Sequence, residues 1–223
     1  MPKRAYPYLP EGRTILYAPE DNEFILIARQ NRQPLIEQYP SSISTSSIII
    51  KDGKVIGSGT NKPIHKSFCP RTVFDSASGE DYELCPKYCH SDNHSEASAI
   101  RDAISKGLDI HGADIYLYGH WWLCKPCWDK IIEAGINNVY LVEGAEDKFF
   151  QEVSSKGEPL KSVKIFVEGQ KPSGELKERF KKVLISFTDD PKQADFVFKP
   201  QPGLSERQFA INLSSALEPY YNP

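Results

Sequence analysis

The sequence contains no apolar run of about 20 residues, the length that a helix needs to cross a bilayer. The amino-terminal stretch MPKRAYPYLPEGRTILYAPE lacks the apolar segment of a secretory signal. Internal repeats and low-complexity tracts are also missing. We therefore expect a globular, cytoplasmic protein without a membrane-spanning segment.

The chain also lacks a strong excess of charge of either sign. Its 27 Lys and Arg residues and 30 Asp and Glu residues give a formal net charge of −3. A large surface that binds the phosphates of long nucleic acids would require a basic excess. The composition therefore favours a small-molecule ligand over a long nucleic acid.

Cysteine is scarce, and the five cysteines of the 223 residues are an odd number. A closed disulfide framework would therefore leave one thiol over. In a reducing compartment, clustered thiols more often bind a metal than form disulfides. We expect metal ligands among them.

The pattern of apolar residues predicts an α/β fold. The stretch SSIIIKDGKVIGSGTN (46–61) has two β-branched runs around Asp-Gly, a strong signal for a tight antiparallel hairpin. Helical and strand patterns then alternate, which is typical of βαβ units. The predicted helices cover 95–107, 125–135 and 145–157, and the predicted strands cover 113–120, 137–144 and 162–169.

From this order we expect a three-layer α/β/α sandwich with a mixed central sheet in residues 1–169. For the earlier stretch NEFILIARQ (22–30) we expect a helix rather than a strand. The stretch GQKPSGE resembles a linker, and we expect residues 170–223 to form a small C-terminal α/β appendage of unknown role.

The stretch HWWLCKPCWDK (120–130) contains Cys124 and Cys127, three positions apart. This spacing is found in thioredoxin-type dithiols, in structural zinc clips and in catalytic zinc sites. The dithiol interpretation gives no role to His94 and Glu96, which lie two apart at the predicted start of a helix in NHSEAS. A structural clip leaves Glu96 unexplained.

A catalytic zinc site accounts for all four residues. Three ligands, His94, Cys124 and Cys127, leave a fourth zinc position open, and Glu96 is then the residue that moves protons. The order H-x-E followed by C-x-x-C is typical of zinc deaminases, in which the glutamate is not a ligand. This pattern predicts hydrolytic removal of an amino group from a ring.

Three stretches, HSEASAI, CKPC and VIGSGTNKPI, resemble motifs of the cytidine and deoxycytidylate deaminase superfamily over about residues 45–169. The resemblance implies that Asn61 binds the substrate. Leu123 departs from the family, which has proline there, and Pro126 lies inside the cysteine pair. Cys89, five positions before His94, resembles the deoxycytidylate branch most.

The resemblance therefore implies a zinc-dependent hydrolase that converts dCMP to dUMP and ammonia, and a homo-oligomer is consistent with it. Deamination of a base within RNA or single-stranded DNA would require a basic groove and aromatic platforms beyond what this composition promises. Two further alternatives stay open. One is a deaminase of another aminated base or nucleoside, such as adenine, guanine or a cofactor precursor. The other is a non-catalytic zinc module that binds nucleotides, for which Leu123 would be a sign of lost activity.

A second zinc site is predicted in the polar insertion at about residues 62–93. This segment has little apolar surface with which to order itself, and a closed zinc site would supply the missing stabilisation. The expected ligands are Cys69, Cys85, Cys89 and His90, and some deoxycytidylate deaminases similarly carry an extra zinc. Buried thiols without a metal are the alternative.

Further residues have both a functional and an ordinary interpretation. Trp121 and Trp122 would stack on a base or pack in the core. His120 would orient the substrate or make an ordinary structural contact. Four basic residues would bind a 5′-phosphate or lie solvated on the surface: Lys62, Lys66, Arg71 and Lys87.

Overall fold

The computed structural model describes residues 4–32, 44–61, 67–77, 79–154 and 162–221. The chain divides into two compact units. Among the described residues, the first unit contains 4–32, 44–61 and 88–154, and the second contains 67–77, 79–87 and 162–221.

The strands are β1 Ile15–Ala18, β2 Ser46–Lys51, β3 Lys54–Thr60, β4 Asp114–Tyr118, β5 Asn138–Val142, β6 Val163–Val167, β7 Ile185–Thr188 and β8 Phe196–Phe198. The helices are α1 Glu23–Gln30, α2 Pro70–Val73, α3 Ser95–Ser105, α4 Lys125–Glu133, α5 Ala145–Ser154, α6 Gly174–Phe180 and α7 Glu206–Tyr221. Short 3-10 helices cover Tyr82–Leu84, Ser91–Asn93, Lys181–Val183 and Pro191–Gln193. Within the described ranges, no helix is both long and apolar enough to span a membrane.

The first unit is built on a five-stranded sheet in the order β1-β5-β4-β2-β3. The strands β1, β5 and β4 are parallel, whereas β2 is antiparallel to both β4 and β3. Asp52 and Gly53 join β2 to β3 with positive φ angles of 51° and 72°, which a tight hairpin turn with the twist of the strands requires. The predicted hairpin and the mixed sheet are confirmed.

Helices cover both faces of this sheet. The side chains of neighbouring residues in a strand point to opposite faces of the sheet. The contacts of Ser46 and Ser47 in β2 therefore show which helix covers each face. The Ser46 hydroxyl accepts a hydrogen bond from the side chain of Asn31, directly after α1, whereas the Ser47 hydroxyl contacts that of Ser95 in α3. The three-layer arrangement is therefore confirmed, as is the helix α1 expected in NEFILIARQ.

The helix α3 lies unusually close to β3, and two glycines make this approach possible. A Cβ atom added at Gly59 would be 2.3 Å from the backbone nitrogen of Ala99 and 2.6 Å from the carbonyl oxygen of Ser95. One added at Gly57 would be 2.7 Å from the carbonyl oxygen of Ala99. The start of α3 is thus fixed against the sheet by backbone contact.

Two assignments of strands differ from the sequence-based prediction. Strand β1 was not predicted, because the four residues ILYA are too few to show a period. The strand predicted at 162–169 forms as β6 but pairs with β7 and β8 instead of joining the first sheet. Alternation identifies a strand but does not specify which strands it pairs with, so this assignment was wrong.

The second unit contains a parallel three-stranded sheet with β6 in the centre, in the order β7-β6-β8. Its core is rich in aromatic side chains: Phe180 contacts Phe68, Phe187 and Phe209 at ring-centroid distances of 5.4, 5.4 and 6.2 Å. Ser214 of α7 accepts a hydrogen bond from Ser67 through its carbonyl oxygen at 2.5 Å. This unit therefore has a core of its own.

Candidate metal and active site

Two helices of the first unit begin at residues that the sequence singles out. The residue before α3 is His94 and the residue before α4 is Cys124, and both have extended backbone, with ψ angles of 154° and 157°. Neither side chain caps its own helix. Cys127 lies in the first turn of α4, next to Pro126, a position where proline is tolerated.

The structure brings His94, Cys124 and Cys127 together. The Nδ1 atom of His94 lies 3.3 Å from the Sγ atom of Cys127 and 3.5 Å from that of Cys124. The three potential ligand atoms all lie within 4.8 Å of one another. A tetrahedral zinc with bonds of about 2.3 Å to sulfur and about 2.0 Å to nitrogen separates such ligands by about 3.5 Å. The spacing therefore fits zinc.

The other nitrogen of His94 orients the ring. Its Nε2 atom lies 3.2 Å from the carbonyl oxygen of Cys89 and donates a hydrogen bond to it. A neutral imidazole that donates from Nε2 has its lone pair on Nδ1, on the side of the two thiols. A metal-binding histidine is commonly held in this way.

The two thiols also suit a cation. Cys124 and Cys127 are thiols rather than a cystine. The hydrogen bond with Cys124, together with burial, raises the pKa of the Cys127 thiol well above its usual value. A divalent cation would compensate the charge of two neighbouring thiolates, so the donor set fits a metal better than it fits a free dithiol.

Glu96 lies in the first turn of α3 and is buried, with 6% of its surface exposed. Burial raises the pKa of its carboxyl group, while the neighbouring His94 and the hydroxyl of Ser95 act in the opposite direction. The Ser95 hydroxyl donates a hydrogen bond to its Oε2 atom at 3.1 Å. Glu96 is thus a buried acid that is electrostatically coupled to the cluster.

Asn61 lies directly after β3, and its backbone and side chain both bind Thr45. Its Oδ1 atom accepts a hydrogen bond from the Thr45 backbone N–H at 2.8 Å, and its own N–H donates to the Thr45 carbonyl at 3.2 Å. The side-chain oxygen is therefore engaged in holding the ends of the hairpin.

The loop after β4 carries the aromatic residues of the prediction. Trp121 and Trp122 are buried. The Nδ1–H of His120 donates to the carbonyl oxygen of Trp122 at 2.8 Å, and its ring contacts Phe149 edge-on at 4.7 Å. Burial lowers the pKa of His120 to about 4, so its imidazole is neutral at physiological pH.

The residues predicted for a second zinc belong to both units. Cys69 precedes α2 and Cys85 follows the 3-10 helix Tyr82–Leu84 in the second unit, whereas Cys89 and His90 belong to the first. The Nδ1 atom of His90 accepts a hydrogen bond from the N–H of Asp92 at 3.3 Å and so caps the 3-10 helix Ser91–Asn93.

The basic residues considered for a phosphate have other contacts where they are described. Lys62 and Lys66 lie outside the described residues. Arg71 donates to the carbonyl oxygens of Ala77 and Glu80, at 2.7 and 2.8 Å. Lys87 pairs with Glu218 at 2.7 Å.

Sequence reasoning missed the contacts that hold the site residues. Ser95 was passed over as the middle residue of H-x-E, and Ser47 as part of a strand, although both contribute to the surroundings of Glu96. Alternation along β2 would have placed Ser47 on one face of the sheet, but not opposite α3. The role of the Cys89 carbonyl has no signal in the sequence, because every residue has a carbonyl.

The model of the MafB19-like deaminase family matches residues 31–183. No curated protein matches the chain in sequence. Similar solved structures include a diaminohydroxyphosphoribosylaminopyrimidine deaminase/5-amino-6-(5-phosphoribosylamino)uracil reductase from Thermotoga maritima, with 18% identity and a TM-score of 0.38 over 65% of this chain and 43% of that chain. The present chain thus spans less than half of the length of that protein.

This chain covers about three quarters of the length of two other similar solved structures. The dCMP deaminase from the cyanophage S-TIM5 has 20% identity and a TM-score of 0.29, over 48% of this chain and 74% of that chain. The guanine deaminase from Bacillus subtilis has 19% identity and a TM-score of 0.28, over 61% of this chain and 76% of that chain.

Proposed function

The chain belongs to the MafB19-like deaminase family, and on this premise we propose that it is a zinc-dependent hydrolytic deaminase of a cytosine nucleotide, converting dCMP to dUMP and ammonia. One observation carries the proposal. The openings of α3 and α4 place one imidazole and two thiols at the mutual distances of zinc ligands, with the buried carboxyl group of Glu96 coupled to them.

The metal ligands in this proposal are His94, Cys124 and Cys127. A zinc ion bound there would act as a Lewis acid and make water a stronger nucleophile at neutral pH. The hydrogen bond to the Cys89 carbonyl keeps the Nδ1 lone pair of His94 on the side of the thiols. The ligand set would leave one position open to water, as in catalytic sites.

Glu96 is the proton carrier. It would accept one proton from the attacking water and deliver it to the ring nitrogen, then take the remaining proton from the new C4 hydroxyl and deliver it to the amine, which leaves as ammonia. Burial raises the pKa of Glu96, and a raised pKa makes a carboxylate a stronger base towards the proton of the attacking water. The amino ends of α3 and α4 also favour the negative charge that develops during the attack.

Cytosine nucleotides are proposed because Cys89, five positions before His94, matches the deoxycytidylate branch in spacing. Asn61, directly after β3, would contact the base or sugar, as the resemblance implies. The phosphate distinguishes this substrate from a nucleoside or a free base.

From the sequence alone we also propose a second, structural zinc, with Cys69, Cys85, Cys89 and His90 as its ligands. Three thiols and one imidazole are a common structural ligand set. Purified protein should then contain two zinc ions per chain. The Cys69→Ser variant should contain one zinc ion and be less stable, and the fraction of it that remains folded should keep deaminase activity. One zinc per chain in the native protein would contradict this assignment.

The test of the reaction is a panel of aminated bases, nucleosides and monophosphates, followed by ammonia release and product identification. We expect turnover of dCMP, with Glu96→Ala retaining its zinc and losing turnover. Glu133→Ala, which removes an exposed carboxylate at the end of α4, is the matched control and should remain active.

Other outcomes of the panel would replace the proposal. Release of ammonia from a different ring would establish a deaminase with another substrate. Retained zinc with no turnover of any compound would favour a nucleotide-binding module, consistent with Leu123 in place of proline. Ammonia release by Glu96→Ala at the native rate would refute the role of Glu96.

A further inference from the structure

Two buried serines connect the central sheet to the carboxyl group of Glu96. Ser47 in β2 and Ser95 in α3 are both 0% exposed. Their hydroxyl oxygens are 2.9 Å apart, and the Ser95 hydroxyl lies 3.1 Å from the Oε2 atom of Glu96. A continuous line of hydrogen bonds thus runs from the strand to the acid.

The direction of these hydrogen bonds follows from the number of hydrogens. Each serine has one hydroxyl hydrogen, and that of Ser95 is donated to Glu96. The hydrogen between the two serines must therefore come from Ser47, and Ser95 accepts it. A hydroxyl that accepts one hydrogen bond becomes a stronger donor in the next.

This line of hydrogen bonds addresses a specific problem of a glutamate in a site. The last torsion of a glutamate side chain is broad, so rotamer preference alone does not hold the carboxylate plane in one orientation. The hydrogen bond from the Ser95 hydroxyl to Oε2 restricts that torsion. The sheet holds the Ser47 hydroxyl in a fixed position, because β2 is a buried strand that is paired on both sides.

We propose that Ser95 is a positioning residue for Glu96 and that Ser47 holds the Ser95 hydroxyl in place. The effect on turnover rests on the proposed deaminase function. The orientation of the Glu96 carboxyl group does not depend on that function, and a second experiment measures it without substrate.

Turnover is measured with Ser95→Ala, Ser47→Ala and, as a matched control, Ser98→Ala, which removes a half-buried hydroxyl from the same helix. We expect Ser95→Ala to lower kcat about 10- to 100-fold, the range for a lost hydrogen bond to a charged group, with KM within about twofold. Ser47→Ala should lower kcat less, about 3- to 10-fold, because Ser95 can still donate. Ser98→Ala should match the native protein.

The second measurement requires no substrate. Infrared difference spectra against Glu96→Gln isolate the carboxylate band of Glu96 in each variant. Loss of a donor to Oε2 should shift this band in Ser95→Ala, whereas Ser98→Ala should leave it unchanged. Zinc content and thermal unfolding identify any variant that has lost its fold or its metal.

The outcomes separate the two proposals. A shifted band in a protein that deaminates nothing would support the positioning role and refute the proposed function. An unshifted band in folded Ser95→Ala would overturn the positioning role even where the native protein is an active deaminase. Equal losses of kcat in Ser95→Ala and Ser98→Ala would overturn it as well.

Discussion

The close approach of α3 to β3 predicts that Gly59→Ala will damage the candidate site without touching any of its residues. The added Cβ would be 2.3 Å from the backbone nitrogen of Ala99, 2.6 Å from the carbonyl oxygen of Ser95 and 2.7 Å from the carbonyl carbon of Ser98. All three are backbone atoms, so no side chain can rotate away. Ordinary contact would require β3 and α3 to separate by about 1 Å.

That separation has two consequences. Forcing one extra methyl group into a packed interior costs about 1–3 kcal/mol, equivalent to a fall in Tm of about 2–12 °C for a chain of this size. The displaced helix also begins next to His94 and carries Glu96, whereas Cys124 directly precedes α4 and Cys127 lies in its first turn. A shift of about 1 Å between them should weaken zinc binding and lower any turnover by about 100-fold.

The assay combines thermal unfolding with zinc content after dialysis at a fixed free-zinc concentration. Gly174→Ala is the matched control, because nothing lies within 4 Å of its added Cβ, and this variant should behave as the native protein does. A Gly59→Ala protein with native Tm and full zinc would show that α3 is not fixed by backbone contact, and the reasoning would fail.

Three further predictions concern the metal and two titrating groups. Removal of zinc with a chelator should lower Tm, and zinc added back should restore it, because His94 and two buried thiols would otherwise lie together without a cation; an unchanged Tm would contradict this. In the metal-free protein, burial raises the pKa of Glu96 above its value in the unfolded chain. The free energy of unfolding therefore falls as pH rises, because ionised Glu96 is less favourable in the folded protein than in the unfolded chain. Glu96→Gln should therefore unfold at higher Tm than the native protein at pH 8, and by a smaller margin at pH 5. Burial also lowers the pKa of His120 to about 4, so the unfolded chain takes up a proton at this site first as pH falls below about 6.5. Stability is lost over that range, and His120→Phe should reduce the loss between pH 6.5 and pH 4.5, as measured by urea unfolding at equal metal content.

The sequence was most informative where one local pattern determines one element. The Asp-Gly turn specified the β2–β3 hairpin, and the period of apolar residues specified α3 with Gly107 beyond its end. Two helix starts, each after a strand, were also enough to expect His94 and the cysteine pair at the same edge of a sheet. The structure brings these residues together.

Other features depend on which elements become neighbours. Strand β6 has the sequence of a strand, but only its pairing with β7 and β8 assigns it to the second unit. Asn61 was expected to face a substrate, and its engagement with Thr45 could be seen only once the ends of the hairpin were in place. The Ser47–Ser95 contact spans 48 positions, and no local period predicts a contact at that separation.

The partner of the His94 ring is an amide carbonyl, that of Cys89, and not a side chain. Every amino acid carries this group, so the anchor of the imidazole survives nearly any replacement at position 89. A thiol there could be gained or lost during evolution while the tautomer of His94 is preserved. A substitution at position 89 can therefore remove the sulfur while the carbonyl oxygen continues to hold the His94 ring.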